Sequence, residues 1–160
     1  MPEPADVTTI LATPVYGEAL TVAHVATGAA APLAAEVARL QSAAGWTVTD
    51  GADDADTVVL WGLTAGAARD ELAGRRPTVV VLDAADVRTV LTRPTAWARE
   101  LRRSAATSLL LLPAELAERW TRWGPPVPLA HRPAGLPDEA AVTVLSAWVA
   151  RAHAYGRRAG

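Results

Sequence analysis

Asp83 and Asp86 stand three residues apart, directly after the apolar run Thr78 to Leu82. A carboxylate at the end of a strand can serve as a general base or hold a hydroxyl. Asp in this position more commonly caps the helix that begins there. His131 follows the short strand expected at Val127 to Ala130, and a histidine on such a loop can donate a proton. Asp83 and His131 are thus the candidate catalytic residues, with Glu18 of the Pro14-Val15-Tyr16-Gly17-Glu18 turn as an alternative support.

Small residues and an aromatic mark the candidate binding positions. Thr27 and Gly28 lie in a turn from strand to helix, where backbone amides and a helix N-terminus can approach an anion. Tight packing of a small turn is the other use of that segment. Trp61 ends an apolar run and can lie against a ligand ring, with Gly62 leaving space beside it. Its simpler role is core filler. Asp86 completes the ligand-binding set.

Several chemistries are excluded. There is no Gly-x-Gly-x-x-Gly fingerprint and no Gly-Lys-Ser/Thr of a P-loop. His24, His131 and His153 are too scattered to form a metal-ligand pattern. Asp50, Asp53, Asp54 and Asp56 lack the spacing of a calcium loop and read as a solvated turn. No cofactor is expected.

The elements that must position these residues follow from two matched runs, Thr57 to Trp61 and Thr78 to Leu82. Continuous apolar runs mark strands buried on both faces, as in a parallel sheet. Both end at the same rim, the edge at which open α/β sheets bind ligands. Further strands are expected at Leu20–Ala26, Trp46–Thr49 and Thr107–Leu112. A leading strand, Val7–Thr13, would pair antiparallel with Leu20–Ala26 or stand apart as an arm.

Helices are expected from Pro32 to Ala44, with Glu36, Arg39 and Gln41 facing out, and over Thr64–Leu72, Asp83–Thr92, Pro94–Ser104, Ala114–Trp123 and Asp138 to about Ala154. The fold class is therefore α/β, an open, mostly parallel Rossmann-like sheet flanked by helices. Residues 1–19 form a strand or arm, 20–155 one domain and 156–160 a frayed tail.

Composition narrows the function further. The chain has 160 residues, no cysteine and no phenylalanine, and a formal net charge of −2. Disulfide and thiolate chemistry are absent, and no basic field invites nucleic acid. All 15 basic residues are arginine, which reads as coding bias. No leader or membrane-length apolar stretch is evident, so a cytoplasmic location is expected.

Read in order, the segments resemble the N-terminal, acceptor-side half of GT-B glycosyltransferases of the family-4-like group. Thr21-Val22-Ala23-His24-Val25-Ala26-Thr27-Gly28 resembles their opening strand and loop, and Leu33 to Thr49 their first helix and second strand. Asp56-Thr57-Val58-Val59-Leu60-Trp61-Gly62-Leu63 is similar to the segment that runs Asp-Val-Val-His-x-His-Gly in the family. Pro77 to Ala84 resembles the next strand, where the family has His-Asp. Leu112 to Trp120 and Gly124 to Gly135 resemble a later helix and turn.

Leu60 and Leu82 stand where histidines are expected, and the nucleotide-sugar domain does not fit in this length. The resemblance therefore implies half a transferase, catalytically silent by itself.

The leading expectation is a non-catalytic domain that binds a sugar or nucleotide-like small molecule, a protein partner or a second copy of itself. No nucleic acid or membrane is expected as a partner. Trp120, Trp123 and Trp148 are the aromatic candidates for a protein interface, with core packing as their other use. A small transferase or hydrolase using Asp83 is the rival.

Overall fold

The computed structural model describes residues 20–26, 28–62, 77–93, 95, 97–99, 101 and 108–159. Six strands form one sheet: β1 (Thr21–Val25), β2 (Thr47–Thr49), β3 (Thr57–Trp61), β4 (Thr78–Val81), β5 (Ser108–Leu112) and β6 (Leu129–His131). Every pairing is parallel, in the order β2-β1-β3-β4-β5-β6. The protein is an open α/β fold of Rossmann-like type. The expected Val7–Thr13 strand and the helices expected over Thr64–Leu72 and through Ser104 fall wholly or partly outside the described residues.

Alternation along each strand feeds two cores. Val58, Leu60, Val80, Leu82, Leu110 and Leu112 face one side, against Val87 and Val90 of α2 (Ala84–Thr92) and Trp120 of α3 (Ala114–Trp123). Trp97 and Leu101 join that layer. Val59, Trp61, Val79, Val81 and Leu111 face the other side. There they meet Ala34 and Val37 of α1 (Ala31–Ala43) and Val142, Leu145 and Val149 of α4 (Glu139–Ala159). Each fully buried Val or Leu contributes about 1.5–3 kcal/mol relative to exposure. The two apolar runs hold the centre because both of their faces find a helix layer.

Local chemistry sets the boundaries. Pro32 lies in the first turn of α1, where its missing amide costs nothing. β6 starts at Leu129, two residues later than expected, and extends to His131. Pro126 and Pro128 cannot donate to the ladder, although the Pro128 carbonyl accepts the Leu110 amide at 3.0 Å. Helix α4 continues to Ala159, past the end expected near Ala154.

The amino ends are fastened by a reciprocal clasp. Asp56 Oδ2 accepts from the Thr21 amide (3.0 Å) and the Thr21 hydroxyl (2.9 Å), while the Asp56 amide donates to Thr21 Oγ1 (2.8 Å). The acidic turn is thus not merely solvated: its last member ties the start of β1 to the entrance of β3.

Candidate functional site

From β1 the chain moves outward to β2, then crosses back to β3 on the other side. That reversal puts the topological switch point between the carboxyl ends of β1 and β3, the position where doubly wound sheets bind ligands in a crevice. Two glycines with positive φ flank it. Gly28 (φ +62°) starts the 3-10 turn Gly28–Ala30 that leads into α1, and among the described residues no atom beyond its chain neighbours lies within 4 Å of where its Cβ would stand. Gly62 (φ +103°) follows β3, and a Cβ there would come within 3.3 Å of Asp86 Oδ1. Ala30, at the N-cap of α1, offers no side-chain acceptor to the first amides of the helix. Thr27, the other residue expected in this turn, lies outside the described residues.

Beneath the crevice four elements are joined by side chains. The Trp61 indole Nε1–H donates to His24 Nδ1 at 2.9 Å, and His24 Nε2 lies 2.7 Å from Gln41 Oε1. Gln41 Nε2 donates to Ser146 Oγ at 3.0 Å. An indole N–H is only a donor, so His24 Nδ1 must accept and Nε2 must carry the proton toward Gln41. The imidazole is therefore held neutral in one tautomer. Burial pushes the His24 pKa down, only partly opposed by the bond to Gln41.

Trp61 is 8% exposed, with its ring against His24 at 6.0 Å between centroids and 24° between planes. Its N–H is thus engaged by His24, with the two rings nearly parallel. Gln41 corrects the expected helix face. It is wholly buried, because its amide links His24 to Ser146 across the α1–α4 packing. Neither Gln41 nor Ser146 stood out in the sequence, since a polar residue on a helix ordinarily belongs outside.

Asp83 and Asp86 form a reciprocal capping box at the N-terminus of α2. Asp83 Oδ1 accepts the Asp86 amide at 2.9 Å, and Asp86 Oδ2 accepts the Asp83 amide at 3.1 Å. Partial desolvation would raise the Asp83 pKa. The hydrogen bonds from Asp86, the Ala85 amide and the nearby Arg132 charge outweigh it and hold the carboxyl below its usual range.

Arg132, overlooked in the sequence among the scattered arginines, follows β6 and reaches back over β5. Its Nη1 donates to the Leu82 carbonyl at 3.1 Å, while its amide donates to the Leu112 carbonyl.

The remaining expected residues are dispersed. His131 is the exposed last residue of β6, two strands from the end of β4, roughly 10 Å at ordinary strand spacing. Asp83 and His131 are thus not adjacent along the rim, although Arg132 reaches the Asp83 region. His153 lies on α4 with a buried Nδ1 that has no hydrogen-bond partner. Glu18 lies outside the described residues. Among those described, no group of three or more His, Asp or Glu is placed to hold a metal, and no helix is long and apolar enough to cross a membrane.

The three tryptophans do not form one surface. Trp120 is buried on the α3 side with its Nε1 donating to the Pro125 carbonyl at 3.0 Å. Trp148 packs against the opposite core. Trp123 is 67% exposed. No protein-family model, curated protein or solved structure matches the chain.

Proposed function

We propose that the chain is a non-catalytic, Rossmann-like binding domain, similar to the acceptor-side half of a GT-B glycosyltransferase. Its β1–β3 crevice receives a sugar or nucleotide-like small molecule between Gly28 and Gly62. The carrying observation is the commitment of the reactive groups around this rim. Asp83 and Asp86 each hold the other's amide, and both nitrogens of His24 are engaged. By contrast, among the described residues nothing crowds the Gly28 Cβ position, and Ala30 at the head of α1 supplies no side-chain cap. In this reading the backbone of that turn serves recognition, while the neighbouring side chains serve the fold.

The rival transferase or hydrolase needs the Asp83 carboxylate as a base, and one oxygen of that carboxylate already caps α2. Exposed Trp123 favours a protein partner as a second form of binding, at a surface separate from the crevice.

Titration with nucleosides, nucleoside diphosphates and monosaccharides, followed by amide NMR shifts, tests the small-molecule assignment. Shifts centred on Ala26, Gly28 and Gly62, removed by Gly28→Val in a folded protein, are the expected result. Absence of binding by all three classes overturns it. Turnover of any of them that Asp83→Asn abolishes would establish the rival instead.

A further inference from the structure

His24 joins Trp61 on β3 to Gln41 on α1, and Gln41 continues to Ser146 on α4. The two sides of this imidazole differ in chemistry. Gln41 Oε1 accepts the hydrogen bond from His24 Nε2–H whether the imidazole is neutral or charged. Trp61 offers only an N–H and can bond His24 only while Nδ1 is bare. Protonation at Nδ1 would set two donors against each other at a 2.9 Å nitrogen-to-nitrogen contact. One link of the network survives the proton and the other does not.

We propose that His24 is a proton-operated latch: a proton on Nδ1 breaks its bond to Trp61 and frees the indole at the carboxyl end of β3, while backbone pairing to β4 persists and β1 stays joined to α1 through Gln41. The proton comes from solvent and the step forms no covalent bond. Trp61 is the last residue of β3 and directly precedes Gly62, so the freed indole lies at the carboxyl end of the β1–β3 pair. The half-buried setting of His24 gives the imidazole a route to solvent protons.

The described charged groups around His24 leave its neutral form dominant. Asp50 follows β2 one position beyond the Ala23–Thr49 pair and is exposed. On β3 the acid is Asp56, bound to Thr21 at the opposite end of the strand. Glu36 and Arg39 of α1 pair with each other at the surface. On α4, Glu139 and Arg151 are exposed and His153 is half-buried. Burial and Gln41 are what set the His24 equilibrium, with burial the larger influence.

The test follows the six indole N–H signals of the full chain by 1H–15N NMR, with Trp61 assigned from Trp61→Phe. The titration starts near pH 8 and runs down through and below the usual imidazole range. The expected result is a step in the Trp61 signal below pH ~6.5 while the other indoles and the fold persist. His24→Gln, which can accept from Trp61 and donate to Gln41 without titrating, should lose that step. A Trp61 signal that stays fixed while His24 titrates, or one that moves only with global unfolding, overturns the proposal.

If the variant does not fold, long-range 1H–15N spectra of the wild-type imidazole decide the matter. Protonation at Nε2 at neutral pH is required, and a proton found on Nδ1 refutes the latch. Every readout uses the protein alone, so failure of ligand binding at the crevice would leave the result standing.

Discussion

Trp61 and His24 face each other across the β1–β3 pair, and the indole nitrogen donates to the imidazole at 2.9 Å. The strand read from its sequence as an apolar run buried on both faces thus ends in a directional polar contact. That contact ties it to its neighbour at the point where the sheet reverses its order.

Acid should destabilise the protein in two stages. His24 has a lowered pKa in the fold, so its neutral form contributes fully above about 6.5, the unfolded value. That contribution is lost as pH falls from there through the folded pKa. Asp83 is also held low, so its contribution persists above the ordinary 3.8 and is lost only as pH falls below that value. Urea unfolding across this range should show the first loss in wild type and its absence in His24→Gln.

Gln41→Leu fills nearly the same space but leaves the His24 Nε2–H and the Ser146 hydroxyl without their partner. The expected loss is about 1–3 kcal/mol of stability, measured by chemical denaturation. An exposed Gln on the expected outer face of α1 would show almost no change.

Asp83→Ala removes the acceptor for the Asp86 amide and should cost about 0.5–2 kcal/mol. Asp83→Asn keeps an oxygen in that position and should recover most of the difference. Comparing the two denaturation midpoints separates capping from a need for charge.

Gly62→Ala places a side chain at φ +103° and pushes a methyl against the Asp86 carboxylate. Backbone strain of this kind costs about 1–3 kcal/mol. A melting temperature equal to wild type would contradict the described geometry at the end of β3.

Much of this architecture was legible in residues that act locally. Thr57–Trp61 and Thr78–Val81 announce themselves as central strands because both faces are apolar. Gly124 after Trp123 ends α3 where the sequence places its end. Asp83 and Asp86 carry their capping box within four residues. Gln41 was not legible, because its partners lie 17 and 105 positions away on other elements. Arg132 reaches a carbonyl 50 positions earlier. Burial of a polar group depends on a partner supplied by the tertiary structure, and helical periodicity carries no trace of that partner. The order of strands was likewise beyond local pattern, and with it the position of the crevice.

The all-parallel pairing of the six strands has a consequence for how the chain reaches this state. No described pair closes through a tight turn: the nearest in sequence is Leu110 with Leu129, the farthest Val22 with Thr57. Each pairing must first overcome the entropy of closing a long loop, which slows folding relative to hairpin-built sheets. Until β3 and β4 meet, their bare apolar edges are open to other chains. Successful refolding should therefore depend on dilution, even though the finished domain buries those same edges at its centre.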